Sequence, residues 1–284
     1  MSEIDKKLTE IKARADRQLQ ETLMKQLSLP FVWEDSKRGI PNGLLRSPVF
    51  AATARGDHPH VSRRPLPSVE GVDIVYTGIR LSQDYLTLWA QLIHVAREQE
   101  LGTRCETSTY KLLKAMRKSD SGKNRDILYR MLAELQATAI ELTQGRYTYT
   151  GSLIEEAYRD NESGKVVVVL NKKMVALFQR DQFTKVSWDI RLSLTKKPMA
   201  QWLHSFYSTH DKPFAYKVET LHRLCGSNDK SLKQFGESTL LKGLEALAEK
   251  TQEHGLYFGF SIVDGLVHVT HCATTRLPNK PAST

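Results

Sequence analysis

Cysteine is scarce: Cys105, Cys225 and Cys272 are the only three in 284 residues, and no two stand close in sequence. There is no C-x-x-C pair and no metal-ligand spacing, and an odd, scattered set argues against a disulfide scaffold. Long apolar runs are also missing, so no membrane span is expected. Glu3, Asp5, Lys6 and Lys7 open the chain with no apolar run behind them, which is unlike a signal peptide. A nucleotide-binding loop is absent too. Ser121-Gly122-Lys123-Asn124 echoes the end of one, but Arg117 stands where its first glycine belongs and Asn124 where Ser or Thr must follow the lysine. The pairs His58/His60 and His268/His271 suggest a metal-dependent nicking enzyme only faintly. The first lies in a Pro-rich stretch, and the second, at i and i+3 on a strand, would face opposite sides of the sheet. The expectation is therefore a cytoplasmic protein without catalytic residues, metal ligands or cofactor, and not an enzyme.

What the chain has in excess is positive charge. Forty-one Lys and Arg against thirty-two Asp and Glu leave +9, with a pI near 9.4. A basic balance suits a polyanionic partner, of which nucleic acid is the commonest. With 40% hydrophobic and 26% charged residues, the chain has apolar material for two cores.

The most informative stretch runs over 217–250. Val218, Leu221 and Leu224 recur at helical spacing, and Cys225-Gly226-Ser227-Asn228-Asp229 reads as a turn with capping residues. A second helix over 231–250 follows, its apolar stripe formed by Leu232, Phe235, Leu240, Leu244 and Leu247. Its leading edge offers Ser227, Asn228, Lys230, Ser231, Lys233 and Gln234 to a ligand. Two β-prone runs then flank Asp264-Gly265, a strong hairpin turn. A helix-turn-helix followed by a hairpin is the sequence form of a winged helix. A purely structural helical hairpin capped by a small sheet satisfies the same pattern.

The same order occurs earlier. A strand over 72–77 and a helix over 81–100 precede a short strand near 103–106, a helix capped by Ser108, a polar break at Ser119-Asp120-Ser121-Gly122 and a long helix over 123–143. Two β-prone runs, 146–158 and 166–170, follow around a turn at 160–164. Arg104, Lys111, Lys114, Arg117, Lys118, Lys123, Arg125 and Arg130 make this region strongly basic. Lys123, Asn124 and Arg125 at a helix N-terminus suit phosphate positioning and, for Asn and Arg, base readout. A solvated basic face is the alternative.

The fold class expected is α+β: two tandem winged-helix domains preceded by a charged N-terminal helix and a Pro/Arg-rich arm. The expected divisions are 1–35, 36–68 (the arm, with little regular structure), 69–190, 191–273 and a disordered tail, 274–284. Within the first, the helix over 2–25 ends in Gln26-Leu27-Ser28-Leu29-Pro30-Phe31. That segment matches the Q-L-x-L-x-F form of bacterial sliding-clamp ligands at Gln26, Leu27, Leu29 and Phe31.

Several separated blocks resemble one family, the TrfA-type replication initiators of broad-host-range plasmids. They are Ile40-Pro41-Asn42 with Arg46-Ser47 and Phe50-Ala51-Ala52-Thr53; Val75-Tyr76-Thr77-Gly78; Leu135-Gln136-Ala137-Thr138-Ala139; Phe183-Thr184-Lys185 with Trp188; and Ser208-Thr209-His210, Glu219-Thr220 and Leu224-Cys225-Gly226-Ser227. The resemblance implies an initiator that binds directly repeated double-stranded origin sites (iterons) and opens adjacent A+T-rich DNA, whose single strands are a further ligand. It also implies recruitment of the sliding clamp, replicative helicase and host initiator, and conversion of a self-dimer into an active monomer. No ATPase is implied, nor any membrane. Pro30 before Phe31 departs from the family's motif, where Phe follows the second Leu directly. The rival readings are a transcriptional regulator, a nicking-type initiator enzyme, and an RNA-binding or scaffold protein.

Overall fold

The computed structural model describes residues 33–53, 59–69, 71–97, 104–144, 147–178 and 181–271. The expected N-terminal helix, the clamp-like segment with Gln26, Leu27, Leu29 and Phe31, and the tail 274–284 lie outside these.

Helix and sheet are mixed throughout, as the α+β expectation has it. The chain enters through β1 (Lys37–Pro41), a single helical turn α1 (Asn42–Leu45) and β2 (Phe50–Ala51). Next come β3 (His60–Leu66), β4 (Val72–Ile79), β5 (Leu81–Ser82) and α2 (Gln83–Ala96). Helix α2 is the centre of the first core. Leu88, Trp89, Ala90, Leu92 and Ala96 have no exposed surface, and the Trp89 indole N–H donates to the Leu153 carbonyl at 3.0 Å. A helix apolar on every side can only be stable when surrounded.

Strand β6 (Arg104–Ser108), α3 (Thr109–Ala115) and α4 (Gly122–Gln136) follow. Then come β7 (Ala139–Gln144), β8 (Tyr147–Ser152) and the hairpin β9 (Glu156–Arg159)–β10 (Lys165–Val169). After a 3₁₀ stretch, Lys172–Phe178, the chain passes through β11 (Phe183–Ser187), α5 (Trp188–Ser193) and α6 (Pro198–Tyr207). The last unit is β12 (Tyr216–Lys217), α7 (Val218–Cys225), a helical rod α8 over 232–253, and the hairpin β13 (Phe258–Val263)–β14 (Leu266–His271). Within α8, Phe235–Leu240 is wound as π-helix.

One arrangement occurs twice. A strand leads into a helix, a turn, a second helix and a hairpin, and the opening strand pairs with the hairpin's last strand. The sheet orders are β6-β10-β9 and β12-β14-β13. A four-stranded antiparallel sheet, β3-β4-β7-β8, is added to the first unit. Each unit has its own apolar core, one around Trp89 and Leu135, the other around Trp202, Phe206 and Leu244.

Two expectations need correction. The stretch over 36–68 is not a structureless arm: Ile40, Leu44, Leu45, Val49 and Phe50 are 2% exposed or less, and β1 pairs with β11. Its prolines are accommodated at a strand end (Pro41), in a turn (Pro48) and in an edge strand (Pro65), where a missing N–H costs nothing in the ladder. The long helix expected over 123–143 ends at Gln136. The alternation of buried Ile140 and Leu142 with more exposed neighbours makes β7, whose Leu142 and Ile140 face Ile74 and Tyr76 of β4.

Three arginines cross between the units. Arg46 donates to the Thr209 hydroxyl and carbonyl, at 2.8 and 2.6 Å. Arg80 donates to the Gly226 carbonyl and the Asn228 side chain. Arg191 is fully buried, and its guanidinium donates to Gln83 and Thr87 of α2 and to Ser205 of α6. The backbone adds Ala52 N–H to the Cys225 carbonyl at 2.8 Å.

Two buried histidines make stability depend on pH. His94 accepts the Trp33 indole N–H at 3.1 Å; burial, reinforced by Arg38 and Arg97, lowers its pKa from 6.5 to about 3. Burial likewise lowers His204, beside Arg191, to about 3. Both are neutral in the fold, while the unfolded chain takes up protons first as the pH falls through 6.5. Stability is therefore complete above that value and is lost progressively toward pH 3. Melting curves should be level at neutral pH and shift down steadily in acid, and His94→Gln should shallow the decline; an unchanged slope in that variant would contradict this.

Candidate nucleic-acid interface

At the first helix tip, Ser121 caps α4 by accepting the Asn124 amide at 3.4 Å. The Asn124 side chain is turned back on the preceding turn, donating to the Ser119 carbonyl and hydroxyl at 2.8 and 3.0 Å. Arg125 forks onto Asp120 at 2.6 and 2.8 Å, and that pairing holds the carboxylate below and the guanidinium above their ordinary ranges. Much of the basic run is matched in the same way: Arg104 with Glu106, Arg117 with Asp189, Lys118 with Asp84, and Arg130, at 4.0 Å, with Glu134. Lys114 lies over the exposed Tyr110 ring. Exposed Lys111 and Lys123 meet no carboxylate among the described residues. Sequence density therefore overstates the free charge here.

The second tip is more open. Gly226 takes the left-handed conformation, φ 63°, that ends α7. Ser227 and Asp229 build the turn through a 2.7 Å hydrogen bond, and Asn228, though exposed, is held by Arg80. These residues shape the approach. Ser231 caps α8 by accepting the Gln234 amide at 3.3 Å. Lys230, Ser231, Leu232, Lys233 and Gln234 then form one exposed face, with Lys233 only loosely paired to Glu237 at 4.0 Å. An exposed helix N-terminus with two lysines, an amide and an apolar side chain can position phosphates and contact base edges. Neither Asn124 nor Asn228 lies in a core.

Each tip is accompanied by its hairpin. Asp160 ties the first turn through the Glu162 and Ser163 amides, and the second turns at Asp264 and Gly265 with φ of 49° and 73°. Sequence reading missed Arg80 and Arg223, which with Arg64 of β3, a residue of the expected basic arm, gather beside the second tip around a cleft of about 620 Å³. Isolated arginines in unrelated segments leave no sequence pattern.

Among the described residues no group of three or more His, Cys, Asp or Glu is placed to hold a metal, and no helix is long and apolar enough to cross a membrane. Burial raises the thiols of Cys105 and Cys225 to about 12, so both stay protonated.

Comparison with known proteins points in one direction. The family model described as TrfA protein matches residues 2–271. A plasmid replication initiator protein TrfA of Escherichia coli is 27% identical over 248 residues, covering 83% of this chain and 62% of the relative; the match thus spans about three-fifths of that relative's length. Two solved structures share the fold. Domains 2 and 3 of RctB align with a TM-score of 0.57 at 14% identity, over 83% of this chain and 99% of the other. The Pi initiator protein, solved in complex with iteron DNA, aligns with a TM-score of 0.52 at 13% identity, over 84% and 98%.

Proposed function

Since the chain belongs to the TrfA family, we propose that it is a plasmid replication initiator that binds directly repeated origin DNA through two winged-helix modules, 69–190 and 191–273. Helices α4 and α8 serve as the reading helices, and their hairpins as wings against flanking phosphates. The observation that carries this reading is the doubled strand–helix–turn–helix–hairpin unit, each copy ending its turn in a serine-capped, solvent-facing helix start. The three arginines between the units fix the two starts relative to each other. A rigid pair of readers suits a repeat whose half-sites keep constant spacing.

No hydrolytic energy is assigned to opening of the neighbouring A+T-rich DNA. Deformation of flexible steps supplies it. The helicase, host initiator and sliding clamp are the proposed partners, the clamp through Gln26, Leu27, Leu29 and Phe31, and a self-dimer is the proposed resting form. The test is equilibrium binding to the direct repeats beside its own gene against a scrambled duplex of equal length. The repeat should be preferred by about 10³-fold or more; equal affinity would refute the reading.

A further inference from the structure

The junction between the units holds a cleft of about 620 Å³. Arg64 and Arg80 reach it from the first unit, Arg223 and Lys230 from the second, and Asp229 is its single carboxylate. That carboxylate already accepts the Ser227 hydroxyl at 2.7 Å. Arg64, Arg223 and Lys230 are exposed and meet no carboxylate among the described residues. Arg64 also stands close enough to Arg80 to disfavour the latter's charge, after burial itself. Four cations around one carboxylate leave net positive charge in the recess, and low-dielectric walls focus its field outward. Such a recess is built for an anion. Pro48, Pro59 and Pro65 give it walls with little freedom to collapse.

The position of the cleft identifies the anion. Lys230 directly precedes Ser231, the cap of α8, so the cleft opens within two residues, at most about 7 Å of chain, of the tip. A duplex whose major groove accepts that tip carries its adjoining phosphates past the cleft. The volume suits a stretch of backbone rather than one small ion.

We propose that this cleft is a phosphodiester-binding site that grips the DNA backbone between the two half-sites, with Arg64, Arg223 and Lys230 on phosphate oxygens and Arg80 holding the turn that presents them. The assignment rests on the DNA-reading function above. It adds a third, sequence-independent anchor supplied jointly by both units. Arg80 is committed to Gly226 and Asn228, so it positions the turn rather than contacting the phosphates.

The experiment measures affinity against salt for the full chain, Arg64→Ala/Arg223→Ala and Arg64→Lys/Arg223→Lys, on a repeat-bearing and a scrambled duplex. Both side chains are exposed, so melting temperature should not change. The alanine pair should lower the log–log salt slope by about two and affinity by roughly tenfold or more at physiological salt, on both duplexes, with the preference between them kept. The lysine pair should restore most of the slope. An unchanged slope, or a loss confined to the repeat, would overturn the proposal. If the unaltered chain binds both duplexes alike while the alanine pair still lowers the slope, the cleft stands and the repeat-reading function falls.

Discussion

Arg191→Met should destabilise the protein by about 1–3 kcal/mol, the scale for leaving a buried acceptor without its donor, and lower its melting temperature by several degrees. Arg191 has no exposed surface and no carboxylate on its guanidinium; its bonds go to Thr87 at 3.2 Å, Ser205 at 2.8 Å and the Gln83 carbonyl and side-chain oxygen at 2.9 and 3.1 Å. Burial pulls its pKa down to about 9, so it stays charged at neutral pH. Thr87 and Ser205 keep a partner after the change, because each also donates to a carbonyl in its own helix. The Gln83 carbonyl keeps the Thr87 hydroxyl too; the Gln83 side-chain oxygen alone loses its donor, and its desolvation is the core of the cost. Arg191→Lys distinguishes geometry from charge. A single ammonium cannot span acceptors on α2 and α6 at once, and in this dry setting it would tend to lose its proton. Lysine should therefore rescue little, and a single melting transition should broaden or split as the units uncouple. Full rescue by lysine would show that charge alone holds the joint.

The second large effect concerns the tip of α8. Lys230→Ala/Lys233→Ala/Gln234→Ala removes two phosphate anchors and one base-reading amide while leaving the fold intact, since all three side chains are exposed. Two lost phosphate contacts act on every sequence through the salt slope, by about 1.8 in log–log terms. The lost amide acts on the repeat alone, by about 1–3 kcal/mol. Affinity for repeats should fall by roughly 10²–10³, and clearly more than affinity for scrambled duplex. Lys123→Ala at the first tip should cost only about one phosphate contact, because Asn124 and Arg125 are bound to Ser119 and Asp120. Equal losses on both duplexes for the triple variant would mean that α8 touches the backbone without reading it.

These asymmetries were only partly legible in the sequence. Capping serines are local signals, and Ser108 accepts the Lys111 amide as expected, whereas the second helix is capped by Ser231 and not from within the turn 227–229, where Ser227 and Asp229 bond to each other. The turns at Gly226 and Asp264-Gly265 are local as well, and both adopt the positive φ their residues favour. What escaped is tertiary. The Pro-rich stretch over 36–68 reads as irregular, yet Ile40, Leu45 and Phe50 are drawn into the core by β11 and α2, elements more than thirty residues away in sequence. The boundary between α4 and β7 has no glycine or proline to mark it, and pairing with β4 decides it. Whether a lysine or arginine is free for DNA depends on the carboxylate across from it, which no sequence pattern specifies. Arg46, Arg80 and Arg191 are lone residues, each with a partner more than a hundred positions away. For that reason sequence reading located the two exposed helix starts but not the joint between them.

Hydroxyl-radical footprinting of the full chain on its direct repeats bears most directly on the claim that two helix starts, rigidly joined, occupy one duplex together. The account predicts, within each repeat, two protected patches on the same face about one helical turn, ~10 base pairs, apart, with protected backbone between them. A single patch, patches on opposite faces, or uniform protection shared with scrambled DNA would contradict it.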